Sequence, residues 1–220
     1  PSALGFIVGS QAAPWILRRV RPAYVIGAGL AMGAAGLAML TGVEGTDDLT
    51  LVVTASVIAS LGLAPVFTAT TELIVGSAPL EQAGAASGIS ETGSELGGAL
   101  GIAILGSIGA AVYRSELADL LPTGVPAEAA GAARDTLGGA VGAADGLPGQ
   151  LGSSLVEAAQ DAFIQGMRVS SAIATIVAIA VAVLAVSMLR HVRSGADREA
   201  GAEREAAAER DIASDVVVAE

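Results

Sequence analysis

Long apolar stretches alternate along the chain with short charged connections. A hydrocarbon core about 30 Å thick takes roughly 20 apolar residues at 1.5 Å of helical rise per residue. Five stretches approach that scale: 1–17, 23–42, 51–78, 84–113 and 166–189. Each is expected to be a helix. A lone strand in lipid leaves its backbone groups unpaired, and these stretches are too long and too unalternating for a barrel. The pattern therefore predicts an all-α membrane protein with five transmembrane helices. The chain opens at Pro1 directly into an apolar stretch, without an initiator Met, a basic n-region or a cleavage site, and so reads as a fragment rather than a signal peptide.

Two segments are not expected to span. Residues 114–165 are rich in Ala and Gly, and Pro122, Pro126 and Pro148 break them into short pieces. Within this loop, 128–140 and 151–164 carry weak amphipathic periodicity, with Leu151, Leu155 and Ala158 or Ala159 on one face. Residues 191–220 mix Arg with Glu and set like charges four apart, Glu199 with Glu203 and Glu205 with Glu209, as in a frayed, solvated, disordered tail.

The basic residues orient these spans. Arg18, Arg19 and Arg21 lie between the first two, Arg190 and Arg193 follow the fifth, and the connection carrying Glu44, Asp47 and Asp48 has no base. Five spans put both arginine clusters on one side, which the positive-inside rule makes cytoplasmic. The expected location is the cell membrane, with 114–165 outside and the C-terminus in the cytoplasm.

Composition narrows the chemistry. With 53% apolar residues, 15% charged residues and a mean hydropathy of +0.67, the chain is unlike a water-soluble protein. Its 29 glycines and 3% aromatics favour helices that meet through small residues. Against 22 acids stand 11 bases, all Arg, so a nucleic-acid surface is not expected. Zero Cys and one His leave no thiolate or histidine cluster for a metal, and no cofactor site is apparent. No His or Lys at membrane depth stands ready to activate a serine, so an intramembrane hydrolase is set aside and no enzyme is expected.

What remains is a set of acids inside the apolar stretches, where a charge is costly unless it faces a cavity, a partner or a proton. Glu91 and Glu95 lie four apart on one face of the fourth span, with Glu95 roughly 16 Å from its start and so near the midplane. Like charges one turn apart in a low dielectric resist joint ionisation, so at least one is a candidate for proton exchange. Gly93, Gly97 and Gly101 form a GxxxGxxxG helix-packing stripe whose middle lies about 140° round the helix from that face. The alternative is a later helix start, leaving Glu91 at the wet interface and Glu95 snorkelling or bonded to a neighbour. Glu72, about 9 Å from the end of the third span, is a secondary candidate within reach of the interface. Pro65 should kink the third span and is a candidate hinge or a packing accommodation. Asp47 and Asp48 read as a solvated turn rather than a calcium site, and His191 as an interfacial anchor.

The segment AGAASGISETGSELGGALGIAILGS, residues 83–107, resembles the penultimate span of the fourteen-span drug:proton antiporters of the major facilitator superfamily. The connection PWILRRVRP, residues 14–22, followed by a Gly/Ala-rich span, is similar to that family's short arginine-bearing cytoplasmic connection. A long outer loop before the last span also fits. The resemblance implies that these are the last five of fourteen spans and most of the C-terminal half of a major facilitator fold, with the N-terminal bundle as the missing partner. It further implies proton-coupled multidrug efflux of small lipophilic, often cationic compounds by alternating access, with Glu91 and Glu95 where acids serve coupling in relatives. The alternative is a non-transporting membrane module, or a truncated half that assembles with a partner membrane protein.

Overall fold

The computed structural model describes residues 1–45 and 47–192. It holds seven α-helices: α1 (Ser2–Arg19), α2 (Pro22–Leu40), α3 (Leu49–Ser77), α4 (Ala83–Leu120), α5 (Ala127–Asp135), α6 (Leu137–Ala144) and α7 (Gly149–Leu189), with a single 3-10 turn, Leu80–Gln82, before α4. Among the described residues there is no strand. Prolines set several boundaries: Pro22 opens α2, where a missing N–H costs nothing, and Pro126 and Pro148 immediately precede α5 and α7. Residues 193–220, including Arg193 and the expected disordered tail, lie outside the described residues.

Among the described residues, four helices are long and apolar enough to cross a membrane: α2, α3, α4 and α7. α1 forms over the first predicted stretch, but its 18 residues include Gln11, Pro14, Arg18 and Arg19, which dilute its hydropathy. The helices pack in the lateral order α1, α3, α2, α7, α4, and α4 also touches α3.

Small residues make these contacts. An added Cβ at Gly9 would stand 2.8 Å from the Leu61 carbonyl oxygen of α3, and one at Gly62 would stand 2.6 Å from both the Gly29 oxygen and the Gly33 nitrogen of α2. At Gly166 of α7 it would lie 2.7 Å from the Gly109 oxygen of α4. Backbones thus touch where a side chain would hold them apart, which is how helices associate in lipid without a hydrophobic drive of their own.

The Gly9 contact falls beside Pro65. Pro65 is buried within α3, and because it lacks an N–H the Leu61 carbonyl has lost its ordinary helical donor. Gly9 presses onto that freed carbonyl, so α1 packs against the weakest point of α3.

The segment 114–165 is not a chain of loops. α4 continues to Leu120 and α7 begins at Gly149, so both helices run past their apolar stretches. Tyr113, Leu117, Ala133, Ala140, Leu155, Ala158, Ala159 and Ala162 form a core there, capped by α5 and α6. The face expected over 151–164 is the buried one, with Leu155 and Ala159 fully enclosed. The expected helix over 128–140 is instead two, because Thr136 is extended (φ −157°, ψ 156°) and its hydroxyl accepts the Gly139 N–H at 2.9 Å to start α6.

Two arginines tie helix ends together. Arg21 Nη1 donates to the Arg190 carbonyl at 3.4 Å, so the segments that follow α1 and α7 meet at one end of the bundle. Near the other end, Arg168 Nε donates to the Thr41 carbonyl at 2.8 Å, placing a cation at the C-terminus of α2 where the helix dipole is negative.

Candidate functional site

The run Thr68-Ala69-Thr70-Thr71-Glu72 brings polar side chains into the last turns of an otherwise apolar α3. α4 returns alongside it after the short connection 78–82, and α1 flanks α3 on another side. Between the three lies an open cleft of about 660 Å³. Its lining includes Phe6 and Ser10 from α1, Phe67, Thr71 and Glu72 from α3, and Glu91 from α4. Among the described residues no basic side chain lines it.

The cleft joins two acids that are far apart in sequence and close in depth. Glu72 lies about 8 Å along α3 from its end, and Glu91 about 12 Å along α4 from its start. Phe6 and Phe67 form a tilted aromatic pair across α1 and α3, with centroids 6.2 Å apart and planes at 57°. Rings beside carboxylates suit an apolar body carrying positive charge, since both attract a cation and the rings offer apolar area.

Glu95 is not part of the cleft lining; it is exposed, one turn deeper along α4. Ser94, beside it, lines a smaller pocket of about 130 Å³ with Thr70, Thr71 and Phe67, which extends the hydroxyl-lined groove between α3 and α4. The stripe Gly93, Gly97 and Gly101 is open: among the described residues no side chain or neighbouring backbone comes within 4 Å of an added Cβ at any of the three. Glycine contacts inside the chain fall at other positions, on α1, α2, α3, α6 and α7 and at Gly109 of α4. Pro65 lines neither pocket but lies between cleft residues Ala64 and Phe67.

The exposed surface of α4 over 91–98 differs in kind from that of α7, although α4 also shows Ile89, Leu100, Ile102 and Ile104 on either side of it. α7 shows Ile176, Val177, Ile179, Val181, Val183, Leu184 and Met188, a surface suited to acyl chains. α4 over 91–98 reads Glu-Thr-Gly-Ser-Glu-Leu-Gly-Gly, exposed throughout. A surface that polar and that small matches water or protein rather than hydrocarbon.

Asp48 has a structural role. The Asp48 carboxylate accepts the backbone N–H groups of Glu44 at 2.8 Å and Gly45 at 3.3 Å, so it closes the turn before α3. Among the described residues no three His, Cys, Asp or Glu side chains group as a metal site. Sequence reasoning missed Ser10, the aromatic pair and Arg168; the visible signal was a threonine-rich run ending in Glu72 in an apolar stretch.

No family model matches the chain. It is 32% identical over 182 residues to the multidrug efflux pump LfrA of Mycolicibacterium smegmatis, a match covering 83% of this chain and 36% of that protein. It is 34% identical over 184 residues to the tetracenomycin C resistance and export protein of Streptomyces glaucescens, covering 81% of the chain and 34% of the relative. A shorter match, 40% over 97 residues, joins 44% of the chain to 19% of the methyl viologen resistance protein SmvA of Salmonella typhimurium. The chain spans about a third of the length of the first two relatives.

Proposed function

Because the chain belongs to the drug efflux pumps of the major facilitator type, we propose that it is the C-terminal part of a proton-coupled exporter of lipophilic, cationic compounds. In this reading α1 is the fifth membrane span alongside α2, α3, α4 and α7, and together they form most of the second bundle of a fourteen-span transporter. The protein sits in the cell membrane with the arginine end in the cytoplasm. The exposed, small and polar face of α4 meets the first bundle across a shared cavity, and Gly93, Gly97 and Gly101 allow that bundle a close approach.

The observation that carries the proposal is the cleft joining Glu72 and Glu91 beside Phe6 and Phe67. A carboxylate in such a cleft can hold either a proton or an organic cation, and the two occupants exclude one another. Alternating access converts that exclusion into antiport: protonation releases substrate on one side, and loss of the proton readies the site on the other. Glu95, one turn deeper on the same helix, extends the acidic path toward the midplane. Pro65 and its free Leu61 carbonyl give α3 a bending point beside the cleft residues Ala64 and Phe67.

The test uses the full-length transporter in proton-loaded vesicles, with Glu72→Gln, Glu91→Gln and Glu95→Gln made singly and as a triple variant. Proton-driven efflux should fall at least tenfold in Glu91→Gln and vanish in the triple variant, while the protein still inserts. Wild-type efflux in the triple variant would remove all three acids from the mechanism.

A further inference from the structure

The end of the bundle opposite the α5–α6 cap carries a second feature, independent of the acidic cleft. Arg18, Arg19, Arg21 and Arg190 are all exposed there. The Arg19 guanidinium lies over the Trp15 ring, 5.0 Å from its centroid, a pairing that suits the level where a bilayer meets water. The Arg21 side chain reaches the Arg190 carbonyl, which brings two cationic residues from different helices to one place.

Directly beneath them a groove of about 460 Å³ runs between α2 and α7. It is lined by Gly27, Ala182, Val183, Val186, Ser187 and Arg190, and among the described residues no acid belongs to the lining. The groove is therefore apolar along its length and basic at its mouth. Ala182 lies two helical turns from Arg190, so the apolar part extends about 12 Å below the guanidinium.

We propose that this groove holds an anionic phospholipid, with the headgroup phosphate on Arg190 beside Arg21 and an acyl chain along Val183 and Val186. Charge selects the headgroup, since basic residues at a membrane surface attract anionic lipid and a planar guanidinium meets a phosphate with two parallel hydrogen bonds. The apolar length selects a lipid over free phosphate, which would leave most of the groove uncovered. Val186 closes on Gly27 and seals the floor of the groove, so the lipid would lie over Val183 and Val186.

The purified 220-residue chain is equilibrated with equal amounts of phosphatidylglycerol and phosphatidylcholine, and the lipid retained through gel filtration is measured by mass spectrometry. The wild-type chain should retain phosphatidylglycerol preferentially. Arg21→Gln with Arg190→Gln should lower the ratio of the two lipids roughly thirtyfold, from the attraction each basic side chain exerts near an anionic headgroup. Arg114→Gln, exposed at the far end of α4, should leave the ratio alone. Val183→Trp, which fills the groove, should lower retention of both lipids with the helical circular dichroism intact. High salt on the wild-type chain should lower the ratio as the paired arginine variant does, so the result stands even where that variant folds poorly. A wild-type ratio near one, a ratio insensitive to salt, or displacement of phosphatidylglycerol by inorganic phosphate would overturn the proposal.

Discussion

Gly62→Ala adds one methyl group where three atoms of α2 already stand. The new carbon would lie 2.6 Å from the Gly29 oxygen, 2.6 Å from the Gly33 nitrogen and 3.0 Å from the Met32 Cβ. Relaxed contacts of this kind sit near 3.5 Å, so the overlap is close to 1 Å, and two of the three atoms are backbone with no rotamer to change. α2 and α3 must separate, which loosens the neighbouring contact of Gly36 with Ala55 and Ala59. Overpacking of this kind costs about 1–3 kcal/mol, and rigid partners place it near the upper figure. Alanine returns about 1 kcal/mol through its better helix propensity, leaving a net loss of about 2 kcal/mol. Gly97→Ala is the matched control: nothing among the described residues lies within 4 Å, so only the propensity term remains and the variant should gain about 1 kcal/mol. The two variants should therefore differ by about 3 kcal/mol, roughly two orders of magnitude in the unfolding equilibrium. The assay is unfolding of the purified chain in mixed micelles with a rising fraction of denaturing detergent, followed by helical circular dichroism. Equal midpoints for Gly62→Ala and wild type, or equal losses at Gly62 and Gly97, would refute the assignment of contacting and open glycines.

Arg168→Gln should lower the midpoint by about 2 kcal/mol, the scale of a charged hydrogen bond, because the Thr41 carbonyl loses its donor; Arg168→Lys should recover part of the loss, and a midpoint unchanged in Gln would show the contact contributes nothing. Tyr113→Phe removes the 2.6 Å hydrogen bond from a buried hydroxyl to the Ala133 carbonyl and should cost about 1–2 kcal/mol, seen as faster amide exchange in α5 while α2 and α3 keep wild-type protection.

The middle of the bundle was legible from hydropathy, since α2 and α3 begin and end within two residues of the predicted stretches. The outer ends were not, and the physical reason is that hydropathy marks the bilayer rather than the helix. Beyond residue 113 the apolar run stops, but Leu117 on α4 and Leu155, Ala159 and Ala162 on α7 keep a buried stripe against one another, and helix continues on tertiary packing. The acids were legible as a class, because a carboxylate in an apolar stretch demands a cause. Their grouping was not: Glu91 and Glu95 share a helix face by spacing alone, whereas the joining of Glu72 with Glu91 depends on how α3 and α4 come together. The glycine stripe shows the complementary limit. Spacing identifies a surface fit for close approach, and it carries no information on whether the approaching helix belongs to the same chain.

α4 and α7 are rods of 38 and 41 residues, about 57 and 61 Å long, so each projects well past a 30 Å hydrocarbon layer. Gly109 against Gly166 and the capped core fasten them at two levels. A tilt of 5° of the fastened pair about the mid-membrane would displace the protruding tips by roughly 2.5 Å. The cap is thus a handle on two helices whose other arms lie in the lipid. A soluble binder that grips α5 and α6 would immobilise the buried arm without itself entering the bilayer.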